Sequence, residues 1–149
     1  MVSLRQIEEF LGSEPIALAG VSRNPRKFGY AAFKELKEKG MNIIPINPYA
    51  DEILGSRVYR DVSSLPQEVK ALIIMTKKDQ TAGVVNEARQ KGIKQIWIQQ
   101  MSDNKDVVKE LEGTGINLIT KECILMYYKP HSIHKFHRVI LKFFGRLPR

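Results

Sequence analysis

Five short apolar runs recur along the chain, at residues 16–20, 42–46, 71–75, 95–99 and 116–119. Their starts lie 26, 29, 24 and 21 residues apart, an interval of about one strand plus one crossover helix. Runs that are apolar without alternation are strands buried on both faces. The segments between them carry helix punctuation. Residues 30–39 stop at Gly40, and residues 80–91 run from Asp79 as candidate N-cap to Gly92. Residues 103–112 turn Val107, Val108 and Leu111 inward. This alternation predicts an α/β fold: a Rossmann-like parallel five-stranded sheet with helices on both faces.

Additional helices are expected at both ends. Ser3 and Gln6 have the spacing of a capping box. Leu4, Ile7, Phe10 and Leu11 follow at helical spacing and Gly12 stops them, so residues 2–12 form a helix packed on the domain. Residues 47–66 are less regular; they predict turns, a short extended piece at Val58-Tyr59 and a brief helical turn before Pro66.

A chain of 149 residues fits one domain with a core large enough to fold alone. The formal charge is +8, but 18 basic against 16 acidic residues fall in the first 128 positions. Residues 129–149 hold six basic residues and no acidic one. The chain therefore divides into a mildly basic domain, 1–128, and a basic C-terminal helical extension, 129–149. Such an extension suits an anionic partner or a merely solubilising end. Its stretch 131–144 is amphipathic, with Ile133, Phe136, Ile140, Phe143 and Phe144 on one side and Lys135, Arg138 and Lys142 on the other. Packing on the domain, or a homo-oligomer interface, is the expected role. Nucleic acid or an anionic membrane surface is the less favoured partner. His131, His134 and His137 lack carboxylate company and a recognised ligand spacing, so no metal site is expected. A single cysteine, Cys123, excludes an internal disulfide and fits a reducing, cytoplasmic setting. No apolar run approaches a membrane span.

Ligands of open parallel sheets bind beyond the carboxyl ends of the strands. The first run breaks at Gly20 and leads through Val21, Ser22, Arg23, Arg26 and Lys27 into a helix near Gly29. Strand, glycine turn and helix N-terminus make a phosphate cradle, and three cations strengthen it. The loop matches neither G-x-G-x-x-G nor a P-loop, so a plain turn with solvated cations remains open. The second run ends in Asn47-Pro48, where an NAD-binding protein would place a ribose-binding carboxylate. Its lack argues against NAD. The third ends in Thr76-Lys77-Lys78, a hydroxyl donor and cations for a phosphate. The fourth ends in Gln99-Gln100, polar but without acid–base capacity near neutral pH. After the fifth, Cys123 is either a nucleophile awaiting a base or a buried small hydrophobe.

Several pieces in order then give the chain a likeness. They are Gly20-Val21-Ser22-Arg23-Asn24-Pro25, Ile44-Pro45-Ile46-Asn47-Pro48, Glu52-Ile53-Leu54-Gly55 with Val58-Tyr59, Leu65-Pro66, Trp97-Ile98-Gln99 and Cys123-Ile124-Leu125-Met126. Over residues 14–128 the chain resembles the bacterial and archaeal CoA-binding domain family, related to the CoA-binding domain of the succinyl-CoA synthetase α subunit. The resemblance implies a Rossmann-like domain that binds coenzyme A or an acyl-CoA. The phosphates would lie over the Gly20–Gly29 loop and the adenosine near Asn47-Pro48. Gly20, Val21, Ser22, Arg23, Arg26, Lys27, Gly29, Asn47, Pro48, Thr76, Lys77 and Gln99 are the expected binding residues. No acid–base or nucleophile–base pair stands at a strand end, so a binding role without catalysis is expected. A CoA-dependent enzyme using Cys123, and a nucleic-acid- or membrane-associated module led by the tail, are the alternatives.

Overall fold

The computed structural model of the protein describes residues 2–128. The expected tail helix at 131–144 and the three histidines lie outside the described residues. The elements follow the expected alternation: α1 (Leu4–Leu11), β1 (Ile16–Ala19), α2 (Phe28–Glu38), β2 (Ile43–Ile46), β3 (Glu52–Ile53) and β4 (Ser56–Arg57). Then come β5 (Ala71–Ile74), α3 (Lys78–Lys91), β6 (Gln95–Gln99), α4 (Lys105–Leu111), β7 (Asn117–Glu122) and a 3-10 turn over Ile124–Met126. Five strands form one parallel sheet in the order β2-β1-β5-β6-β7.

Alternation along each strand sorts the core into two layers. Ile16, Leu18, Ile73 and Trp97 face the layer that holds Phe10 of α1 and Phe33 and Leu36 of α2. Ala17, Ala19, Leu72, Ile74, Ile96 and Ile98 face Val85 and Ala88 of α3 and Val107 and Leu111 of α4. The sheet thus has helices on both faces, and β1 and β5 are buried at every position. Full burial of these aliphatic side chains is worth roughly 1.5–3 kcal/mol each before entropy is counted.

The capping box forms as the spacing implies: Ser3 Oγ accepts from the Gln6 amide and the Ser3 amide donates to Gln6 Oε1. Other boundaries differ. α3 starts with Lys77 as N-cap and carries Asp79 in its first turn, where a carboxylate meets the helix dipole without capping it. α4 starts one residue after Asn104, whose side chain accepts from the Asp106 amide. Val108 is only half-buried, beside buried Val107 and Leu111. The expected helical turn before Pro66 is a set of turns held by Asp61, which accepts from the Ser64 amide at 2.9 Å.

Two features were not visible in the apolar pattern. Residues 52–57 form a hairpin whose turn residues, Leu54 and Gly55, both have positive φ of 50° and 76°. Such turns favour Asn-Gly or Asp-Gly, and leucine hides the signal. β7 also extends through polar Thr120, Lys121 and Glu122, past a register shift against β6 and with Lys121 at φ 62°. Pro45 sits inside β2 because its missing N–H faces outward; its carbonyl accepts from the Tyr59 amide at 3.0 Å.

Trp97 is fully buried, edge-on to Phe10 at 5.4 Å and beside Tyr127 at 5.8 Å. Burial, with Glu122 alongside, raises the Tyr127 hydroxyl well above its ordinary value of 10.0. Burial likewise pushes the Cys123 thiol above 9.0. Both groups lose their protons more readily in the unfolded chain, so the unfolded state gains as pH rises past those ordinary values. We expect a urea midpoint that is flat to about pH 8 and falls above it. Tyr127→Phe should lessen the part of the fall that begins near the tyrosine range. An unchanged alkaline slope in that variant would count against this assignment.

Candidate functional site

Strand order reverses between β1 and β5. The chain leaves β1 for β2 on one side, then crosses back to place β5 on the other. This is the position at which open α/β sheets leave a crevice for ligands. α2 and α3 leave these adjacent strands on opposite faces, so the N-termini of both helices flank the crevice.

Those two helices share a feature that α1 and α4 lack. Their N-cap residues are lysines, Lys27 and Lys77, and neither receives a side-chain cap. α1 and α4 are capped by Ser3 and Asn104. An uncapped first turn leaves backbone N–H groups unpaired within the helix. A cation beside them is unfavourable toward the helix dipole unless an anion sits between. α2 has no acidic residue in its first turn, and Arg23, Arg26 and Lys27 are all exposed on the loop before it.

The loop itself is held by short local hydrogen bonds. Ser22 Oγ accepts from the Asn24 amide at 3.0 Å, and Asn24 Oδ1 accepts from the Arg26 amide at 3.0 Å. The Lys27 amide donates to the Asn24 carbonyl at 3.0 Å. Asn24 is therefore the loop's organiser, a role the sequence reading did not assign; an Asn two residues before the cations is its signal. Val21 is buried in the core layer that holds α1 and α2.

The two glycines act through packing. Gly20 has φ 97°, and a Cβ there would lie 2.5 Å from the Met75 carbonyl oxygen and 3.0 Å from the Thr76 amide nitrogen. A Cβ at Gly29 would overlap the Gly20 carbonyl oxygen. Hence β1, the end of β5 and the first turn of α2 close on one another only because both side chains are hydrogen. The conformational freedom expected at the Gly20 turn is used to join the strands that border the crevice.

Asn47 is the clamp between the second strand end and the loop. Its Nδ2 donates to the Val21 carbonyl at 2.8 Å, while its Oδ1 accepts from the Tyr49 amide at 2.7 Å. Pro48 is exposed beside it. Thr76 lies at the end of β5, and its hydroxyl sits 3.0 Å from Thr81 Oγ1. Fully buried Thr81 also has backbone carbonyls within reach, closest that of Ser102 at 2.7 Å. The Thr76 hydroxyl is therefore already partnered by Thr81, and either oxygen can be the donor. Gln99 is 3% exposed; its Oε1 accepts from the Ile124 amide, and it also bonds to Cys123. It joins β6 to the turn after β7 rather than facing the crevice.

Cys123 is buried, with its thiol held protonated by desolvation, the opposite of what an activated nucleophile needs. No helix among the described residues is long and apolar enough to cross a membrane.

The arrangement suits a ligand with phosphate groups: two helix ends without side-chain caps and exposed loop cations, with Asp79 in the first turn of α3 and no carboxylate in that of α2. The α subunit of an ADP-forming acetate–CoA ligase II from Pyrococcus furiosus is 29% identical over 129 residues; the match covers 79% of this chain and 28% of that subunit. The uncharacterized protein YneT of Bacillus subtilis is 28% identical over 123 residues, covering 82% of this chain and 91% of its own length. A solved structure of a conserved hypothetical protein from Pyrococcus furiosus superposes with a TM-score of 0.71 at 34% identity, over 74% of this chain and 95% of that one. The model of the CoA binding domain matches residues 14–129, and the chain belongs to that family.

Proposed function

We propose that the protein binds coenzyme A or an acyl-CoA in the crevice between β1 and β5, as a binding protein without a reaction of its own. The carrying observation is the pair of lysine-started, uncapped helices at the crevice, set against two conventionally capped helices elsewhere. CoA brings a pyrophosphate and a 3′-phosphate to this set of donors. Backbone N–H groups of the α2 first turn, Arg23, Arg26, Lys27 and Lys77 are the groups that would meet them. The end of β2 supplies Asn47, whose side-chain atoms are already engaged, and no carboxylate. A carboxylate there would repel a 3′-phosphorylated ribose and favour the free ribose of NAD.

The buried, protonated thiol of Cys123 supports binding without covalent catalysis. The ligase subunit among the relatives is more than three times the length matched here, so ligase activity is not carried over with the domain.

Calorimetric titration tests the reading. CoA is expected to bind more tightly than dephospho-CoA by roughly five- to a hundredfold, the worth of one or two charge-assisted hydrogen bonds. NAD should bind more weakly than CoA. Affinity for CoA should fall as salt is added, because the cations are exposed. Equal affinity for the three ligands, or none for CoA, would remove the proposed function and leave the fold.

A further inference from the structure

The loop that carries Arg23, Arg26 and Lys27 is stitched chiefly to itself. Its bonds run from the Asn24 amide to Ser22, from the Arg26 amide to Asn24 and from the Lys27 amide to Asn24. Among the described residues, one hydrogen bond ties residues 21–27 to anything beyond α2: Asn47 Nδ2 donates to the Val21 carbonyl at 2.8 Å. Asn47 itself stands on a fixed backbone. Its amide donates to the Tyr59 carbonyl at 2.9 Å, and its Oδ1 accepts from the Tyr49 amide at 2.7 Å. Both polar atoms of the side chain are thus engaged within the protein.

An aspartate in this place would have the same shape and lack the donor. One of its oxygens would still accept from the Tyr49 amide. The other would stand where Nδ2 stands, facing the Val21 carbonyl. Two acceptors at hydrogen-bond distance repel, and the carbonyl is left without its partner, so the side chain or the Val21 peptide must move. A dinucleotide site places its ribose-binding carboxylate at the end of the second strand. Here that carboxylate cannot enter without releasing the loop.

We infer that Asn47 is a positioning residue for the cation-bearing loop. It acts on the ligand through Val21 rather than by contact, and the bond that holds the loop bars the carboxylate by which a dinucleotide site would recognise NAD. The inference rests on the proposed binding of CoA and adds how the loop is held for it. The lack of a carboxylate at the end of β2 is then a requirement of the loop as well as of the ligand.

Calorimetry with CoA and NAD on the full chain tests this. Asn47→Ala should weaken CoA roughly five- to tenfold, the worth of one hydrogen bond. Asn47→Asp should weaken it further, and should bind NAD no more tightly than the parent does. Asn47→Ala combined with Arg23→Ala should cost less than the product of the two single factors, by roughly threefold, because a released loop no longer aims its cation. A merely structural asparagine would lower the melting temperature and leave the two factors independent. If Asn47→Asp gains NAD, position 47 reads the ribose directly and the inference falls. It falls also if Asn47→Ala binds CoA as the parent does, or if the paired variant shows the full product; in either case the CoA reading stands. A parent that binds no CoA removes that reading first and the inference with it. Melting temperatures check folding. Should Asn47→Ala fold poorly, Asn47→Ser takes its place, since a serine hydroxyl still serves the amide two residues on.

Discussion

A Gly20→Ala protein is expected to melt roughly 10 °C below the parent, a loss of about 2–4 kcal/mol, and to bind CoA at least tenfold more weakly. Two costs combine. At φ 97° a side chain is strained whatever the space around it. The added Cβ would also sit 2.5 Å from the Met75 carbonyl oxygen and 2.6 Å from its carbon. Both are backbone atoms in the neighbouring strand end, so no rotamer change relieves the contact. The ends of β1 and β5 must part, and the crevice widens where the phosphates would lie. Gly29→Ala should act in the same sense, since its Cβ would meet the Gly20 carbonyl and push α2 off the strand. Thermal melts and calorimetry on the two variants measure this. A melt unchanged from the parent would mean that the turn does not close as described.

The complementary substitution should separate binding from stability. Removing Arg23, Arg26 and Lys27 together, each to alanine, is expected to weaken CoA by a hundredfold or more, since charge-assisted bonds are worth about 1.5–3 kcal/mol each and only part survives screening at an exposed loop. The melting temperature should hold or rise slightly. The three side chains are exposed, and cations beside the positive end of α2 oppose its dipole when no anion is present. Loss of their charge therefore relieves the free protein. The salt dependence of CoA binding should flatten in the same variant. A triple variant that melts lower and still binds CoA would show these cations to be structural.

These two results would divide the loop into a frame and a set of charges, and the division bears on what a sequence can reveal. The fold was legible because burial leaves a periodic trace. A strand covered on both faces must be apolar at every position, and crossover helices must fill the 21–29 residues between starts. The basic loop after β1 was legible for a related reason: glycines, a helix start and clustered cations are adjacent in the chain. The hairpin at residues 52–57 was not, because Leu54 occupies a turn position where the usual residues would have marked it. Nor was the polar end of β7, whose pairing with β6 overrides its composition.

Among the candidate binding residues the chain alone supplied types, and the tertiary structure assigned their uses. Thr76 and Gln99 stand at strand ends as readable polar groups, yet their hydrogen bonds go to Thr81, Ile124 and Cys123. Asn47 was recognised by the carboxylate it replaces, but its clamp on Val21 joins residues 26 positions apart. Hydrogen bonds of that range depend on which strands become neighbours, and strand order is not written in any local period. The sequence by itself determined the layers of this protein, the position of its basic loop and the absence of a ribose-binding carboxylate. Only the tertiary structure decided that β1 lies against β5, that two glycines seal that seam, and that Tyr49 is left in solvent. Burial imprints periodicity on a chain, whereas the meeting of distant backbone atoms leaves no mark until they are packed.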